Sequence, residues 1–177
     1  MSDAHTWRRV RLRSWLDQMR DAARDDDADA LPEYIFDQSG AAGRGALGPS
    51  MHRLFPFNAL LHPEAPGLYA GANGSGNPFH YHAQTWNALV AGAKRWLLYA
   101  PNASFYSELH PREWHRRGKP VPAGAEEEVR LCEQRAGDVL FVPHLWGHGT
   151  LNLGETLGVA FPFSLRSALD YAGALNL

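Results

Sequence analysis

A single cysteine, Cys132, excludes an intrachain disulfide and a thiolate cluster, so any metal this 177-residue chain takes up must be held by His, Asp or Glu. No window approaches 18 apolar residues, and the start, MSDAHTWRRVRLRS, has no apolar core of the kind a secretion signal carries. With neither membrane segment nor signal peptide supported, the default expectation is a soluble, intracellular protein of cytoplasm or nucleus. Charge of one sign is also scarce. The formal net charge is -2, and the acidic runs Asp25-Asp26-Asp27 and Glu126-Glu127-Glu128 are short enough to be solvated loops. Nothing therefore reads as a nucleic-acid signature, and no internal repeat divides the chain.

What is present describes a compact, turn-rich globule: 45% hydrophobic and 11% aromatic residues with 17 glycines and 12 prolines. The length suits one domain, taken as residues 1–177. Val10 and Leu12 alternate with arginines, as in a short strand. Ser14 then caps a helix to about Arg24, with Trp15, Leu16 and Met19 on one face. Glu33–Asp37 is a strand, and Gly40–Pro49 a flexible loop; Leu54–Leu61 is a short helix or an irregular segment. Leu68–Gly71, Phe79–His82, Trp86–Ala91 and Arg95–Tyr99 are short apolar runs punctuated by Gly, Asn and Pro, the pattern of a β-meander. One helical turn is expected within Asn102–His110 and a proline- and arginine-rich loop over Pro111–Gly124. Strands follow at Glu128–Cys132, Val139–Val142, Gly149–Leu153 and Thr156–Phe163, with a closing helix over Ser164–Ala174. The expected fold is mainly β: a cupin-type double-stranded β-helix, or jelly roll, with short flanking helices.

Three histidines are candidates for chemistry. Alternate residues of a strand share a face, so His80 and His82 reach one ion if that segment is extended. His148, at the head of a late strand, completes a trio of neutral imidazoles that suits iron, copper, zinc or nickel. Taken alone these residues leave two readings open, metal ligands or ordinary surface and hydrogen-bonded core histidines.

Longer motifs surround them. GSGNPFHYHAQTWNALVAGAKRWLLYAP, Gly74 to Pro101, and GDVLFVPHLWGHGTLNL, Gly137 to Leu153, resemble the two halves of a JmjC (Jumonji-C) domain, the cupin-fold family of iron(II)- and 2-oxoglutarate-dependent oxygenases. VRLRSWLDQM and PEYIFDQS resemble that family's early strand and helix and its tyrosine-bearing strand, so the resemblance runs from about Arg9 to Phe163. It implies His80, His82 and His148 as the metal-binding, catalytic centre, with His82 where the family normally has Asp or Glu. It implies Lys94 and the Tyr34 hydroxyl on the distal carboxylate of 2-oxoglutarate, Asn87 beside the cosubstrate, and Asn77 where many members have Thr just before the first ligand. Read singly, Lys94 is an ordinary strand lysine, Tyr34 plain core and Asn87 a turn residue. A buried carboxylate, however, requires a cation and hydrogen-bond donors, which a Lys and a Tyr hydroxyl supply.

Two further positions depart from the family or add to it. Ala160 stands where some members have a cosubstrate-facing Thr, and Ala makes no side-chain hydrogen bond. His144 is a spare candidate ligand whose plainer reading is an exposed loop residue. The resemblance implies Fe(II) and 2-oxoglutarate as cofactors and hydroxylation of a protein side chain as the reaction. The histidine at position 82 keeps two alternatives open: a catalytically weak or inactive metal-binding or interaction domain, and a three-histidine cupin dioxygenase that does not use 2-oxoglutarate. The Pro111–Gly124 loop, with Trp114, His115, Arg116 and Arg117, has two readings, a surface for substrate contact or a mobile surface excursion. Oligomeric state is not addressed by any of these features.

Overall fold

A computed structural model describes residues 11–22, 32–37, 66–123 and 129–162. A first helix, α1 (Leu12–Ala22), precedes β1 (Tyr34–Asp37) and β2 (Gly67–Gly71). The chain continues through β3 (Gly76–His80), β4 (Thr85–Ala91), β5 (Ala93–Tyr99), a 3-10 turn at Pro101–Ala103 and a second helix, α2 (Pro111–Arg116). β6 (Arg130–Arg135), β7 (Val139–Val142), β8 (Gly147–Asn152) and β9 (Thr156–Pro162) follow.

These strands make two antiparallel sheets, of order β1-β2-β9-β4-β7 and β3-β8-β5-β6. From β2 onward the chain passes from one sheet to the other at every step except β5 to β6, which are neighbours in the smaller sheet, so the sheets face each other as a double-stranded β-helix, and each strand has one face turned inward. Gly92, at φ +82°, makes the tight turn between β4 and β5; a Cβ there would also lie 2.1 Å from the Glu155 carbonyl oxygen. The turn after β6 uses Gly137 at φ +95°, and the Asp138 carboxylate accepts a hydrogen bond from Arg135 N at 2.8 Å.

The apolar side chains that face away from the interior are covered in two places. Against the larger sheet, α1 sets Trp15 and Met19 on Ala70 and Ala72, with Leu16 and Ile35 beside them. Trp15 Nε1 donates to Glu33 Oε2 at 2.7 Å, which ties the helix to the residue before β1. Against the smaller sheet, Phe79, Leu97 and Tyr99 pack with Ala103, Phe105 and Trp114. The Trp114 ring centroid is 4.7 Å from that of Phe79, and its Nε1 donates to the Pro120 carbonyl at 2.8 Å.

Several expectations are corrected here. Pro111–Gly124 is not a plain loop: Pro111 opens a helix capped by the His110 side chain, which accepts from Arg112 N. Pro at a first helical position is pre-set for this geometry. Trp114 is fully buried, so it is core and not a substrate-contact residue. Leu12 belongs to α1, not to a strand, and Ser14 therefore lies inside that helix and not at its cap. The turn expected within Asn102–His110 is the 3-10 turn Pro101–Ala103. β3 ends at His80, two residues earlier than expected, and β8 begins at Gly147, so His148 lies within the strand and not ahead of it. The expected loop at 40–49, the segment at 54–61 and the closing helix at 164–174 lie outside the described residues. No helix among the described residues is long and apolar enough to cross a membrane.

The two readings of α2 separate on stability. Trp114→Ala should cost about 3–5 kcal/mol in urea unfolding, as for a large buried aromatic. Arg116→Ala, which removes an exposed ion pair with Glu113 at 2.7 Å, should cost less than about 1 kcal/mol.

Candidate active site

Between the sheets lies a cavity of about 530 Å³. The larger sheet lines it with Tyr34, Phe36, Tyr69, Thr85, Asn87 and Ala160, the smaller with Asn77, His80, Lys94, Trp96, His148 and Thr150, and His82 lines it from beyond the end of β3.

Strand register explains how the histidines meet. His80 of β3 pairs directly with His148 of β8, and opposed residues of an antiparallel pair carry their side chains on the same face. Asn77 pairs with Thr150, and the register shifts between Asn77 and His80. That irregularity resets the alternation, so two residues three apart both face the cavity. His82 also turns inward. The ring centroids lie 4.3 Å apart for His80 and His148, 4.8 Å for His82 and His148, and 5.3 Å for His80 and His82. One nitrogen from each falls within 4.8 Å of the others.

Backbone carbonyls fix the tautomers. Nδ1 of His80 lies 2.8 Å from the Pro78 oxygen, Nδ1 of His82 lies 2.6 Å from that of Ala83, and Nδ1 of His148 lies 2.9 Å from that of Trp146. A carbonyl only accepts, so each Nδ1 carries the hydrogen and each Nε2 keeps a lone pair, the arrangement that metal-binding histidines use. Burial, then the neighbouring His80, holds the His148 pKa down to about 3; burial likewise lowers that of His80. Both are neutral imidazoles at physiological pH. The donor set therefore fits a divalent first-row ion. His144 is exposed and stands outside this cluster.

Lys94 faces the same hollow, 1% exposed. Its Nζ donates to the Tyr34 hydroxyl at 3.3 Å and sits 3.6 Å from the Tyr69 ring centroid, with the Tyr34 and Trp96 rings at 5.3 and 5.7 Å. Among the described residues, no carboxylate lines the cavity. Burial alone pulls the Lys94 pKa down to about 7 and pushes that of Tyr34 up, so the hydroxyl stays a donor. A buried cation with aromatic walls and no acid is a receptor for an anion.

Tyr69, Trp96 and Thr150 are cavity residues that sequence reasoning did not single out. Trp96 and Thr150 stand two positions from Lys94 and His148, so strand alternation carries the signal. Tyr69 is set by Gly158 opposite it on β9, where a Cβ would lie 2.1 Å from the tyrosine oxygen. Its hydroxyl bonds the Asn87 side-chain oxygen. Gln134 Nε2 donates to the Asn87 carbonyl at 2.6 Å, and Trp96 Nε1 donates to Gln134 Oε1 at 3.0 Å, so the cavity floor is one connected network.

Similarity to known proteins adds to this geometry. JmjC domain-containing protein 8 from Homo sapiens is 34% identical over 109 residues, 59% of this chain and 40% of that protein. The chain is a homologue of JmjC proteins. Arginine-specific demethylase JMJ22 from Arabidopsis thaliana is 28% identical over 161 residues, covering 78% of this chain and 32% of its own length. The 2-oxoglutarate and iron-dependent oxygenase JMJD4 from Danio rerio is 33% identical over 104 residues, 52% of this chain and 25% of that protein. The chain thus spans well under half the length of these JmjC relatives. Among solved structures, YcfD, a ribosomal oxygenase from Escherichia coli, aligns with 65% of this chain and 29% of its own at a TM-score of 0.42 and 15% identity. No family model matches.

The buried ammonium predicts a pH dependence for the metal- and ligand-free JmjC-like chain. The Lys94 pKa is lower folded than unfolded, so between about pH 7 and 10 the unfolded chain binds more protons and stability rises with pH. Below pH 7 both forms are protonated and the penalty is fully present. Tyr34 and Tyr69, raised by burial, remain protonated across this window. Urea midpoints should climb from pH 7 to 9.5 in the wild type, and Lys94→Met should flatten most of the climb; a parallel climb in both proteins would contradict the assignment.

Proposed function

We propose that this chain is a JmjC-type oxygenase that uses iron(II) and 2-oxoglutarate to hydroxylate a protein side chain. The observation that carries the reading is the co-occurrence, in one cavity where no described residue offers a carboxylate, of three converging imidazoles and a buried Lys94 ammonium hydrogen-bonded to Tyr34. His80, His82 and His148 would hold the ion. Lys94 and Tyr34 would take the far carboxylate of the cosubstrate, their charge and hydroxyl offsetting its desolvation. Asn77, Asn87 and Thr150 supply further polar contacts, and Phe36, Tyr69 and Trp96 exclude water. When bound, iron with 2-oxoglutarate and oxygen supplies oxidative decarboxylation to succinate and the oxidising power to insert oxygen into a C–H bond.

A protein substrate is supported by relatives named as an arginine demethylase and as a bifunctional arginine demethylase and lysyl-hydroxylase. His82 shapes the expected behaviour. It offers a neutral nitrogen where a carboxylate is usual, which leaves the ion one unit more positive, favours the anionic cosubstrate and disfavours electron-rich states. Binding is therefore expected to be stronger relative to turnover than in a two-histidine, one-carboxylate site.

The test is succinate release from 2-oxoglutarate after anaerobic reconstitution with iron(II). His80→Ala should abolish it. Lys94→Ala should raise the half-saturating 2-oxoglutarate concentration by at least about thirtyfold, since it removes one partner of a buried charge pair. His82→Asp should increase succinate release in the absence of protein substrate. Iron uptake without succinate would replace this reading with a non-catalytic metal-binding domain, and oxygen consumption independent of 2-oxoglutarate would replace it with a three-histidine dioxygenase.

A further inference from the structure

The three imidazoles come from two separate backbone segments, 80–82 and the 143–148 turn into β8, and only His80 and His148 are joined by sheet pairing. His82 lies past the end of β3 and is exposed. A third segment, Ser104–Ser107, touches both. Ser107 N donates to the Phe79 carbonyl at 2.9 Å, one residue before His80. The Tyr106 hydroxyl donates to the Tyr81 carbonyl at 2.8 Å, between His80 and His82, and the two tyrosine rings pack tilted at 43° with centroids 4.4 Å apart. At its other end, the Ser104 hydroxyl accepts from Gly147 N at 2.6 Å, one residue before His148. The same hydroxyl lies 2.8 Å from the Leu145 carbonyl and 2.9 Å from that of Ala100, so one proton serves two acceptors.

Leu145 closes the circuit. Its N–H donates to the His82 carbonyl at 2.9 Å. To do so it adopts φ +61°, a left-handed conformation that a leucine holds only when its surroundings impose it. Gly147 has no room for a side chain, since a Cβ there would lie within 2.9–3.1 Å of Ser104 atoms. Tyr106 is 64% exposed, so its position is not dictated by burial. Its anchor is the hydrogen bond and the tilted ring contact with Tyr81.

From this geometry we infer that Ser104–Ser107 is a splint that fixes the spacing of His82 to His148, with Ser104 and Tyr106 as positioning residues that touch no ligand themselves. The inference rests on the metal-site reading of the three histidines. Without the splint, the hydrogen bond from Leu145 N–H is what remains between the His82 backbone and the turn before His148 among the described residues, and metal binding must draw the rings together at a cost in affinity.

The probe is cobalt(II) alone, titrated into the full-length chain, with affinity and the visible ligand-field spectrum recorded alongside thermal midpoint. Tyr106→Phe, which deletes one hydroxyl from an exposed ring, should weaken cobalt by about two- to tenfold, the worth of one hydrogen bond, with little change in midpoint. Ser104→Ala, which also strips Gly147 N–H of its acceptor, should weaken it by about tenfold or more and alter the spectrum. Arg95→Ala, which breaks an exposed pair with Glu133 on the same sheet, should leave cobalt binding unchanged. Wild-type binding matched in affinity and spectrum by both splint variants would overturn the splint alone. A wild-type chain that takes up no cobalt would overturn the metal-site reading and the splint together.

Discussion

Placing the Lys94 ammonium between two facing sheets costs free energy that no carboxylate among the described lining residues offsets, and much of the interior follows from how that cost is met. Tyr69 lies under the ammonium and contributes its ring face, and Tyr34 contributes a hydroxyl oxygen. Each needs support of its own. Tyr69 is admitted only because Gly158 lacks a side chain, and its hydroxyl engages Asn87, whose carbonyl is held by Gln134, which also accepts from Trp96. Removing Asn87 or Gln134 would thus disturb the walls around the lysine before it disturbed the metal ligands.

The sheet order converts this local chemistry into a site. Because β8 sits between β3 and β5, its inward residues oppose His80 on one side and share the interior with Trp96 and Lys94 on the other. His148 is therefore the residue on which both halves converge, and its ring lies within 5.7 Å of Trp96 as well as against His80. The cation end and the imidazole end of the hollow are built by one short strand pairing in both directions. A shift of one residue in that pairing would turn every one of these side chains to the opposite face.

The strands and the shared face of His80 and His82 were legible because side-chain alternation acts over short sequence distances, whereas the jelly roll and the meeting of the three histidines with Lys94 and Tyr34 were expected from the family resemblance of the surrounding motifs. What was not legible depended on contacts remote in sequence. The arginines around Trp114 make that stretch read as solvated loop, yet a proline and the His110 cap start a helix there, and Phe79 buries the tryptophan. Tyr69 announced nothing by itself, because its role depends on a glycine far along the chain. The irregularity between Asn77 and His80 is likewise a property of pairing with β8 and has no local sequence mark.

Charge joins the two ends of the cavity. Three neutral imidazoles leave a divalent ion its full charge, and Lys94 adds another in the same low-dielectric space, so the proposed occupants of the site are bound to one another as much as to the protein. An anion that spans from ion to ammonium relieves both repulsions at once, and linkage requires that each then tighten the other by the same factor. In a site with a ligating carboxylate, part of that relief would be built in and the coupling weaker. His82, read from sequence as a departure that leaves activity open, is on this view what makes metal and anion mutually dependent. The splint that holds His82 in place then bears on both.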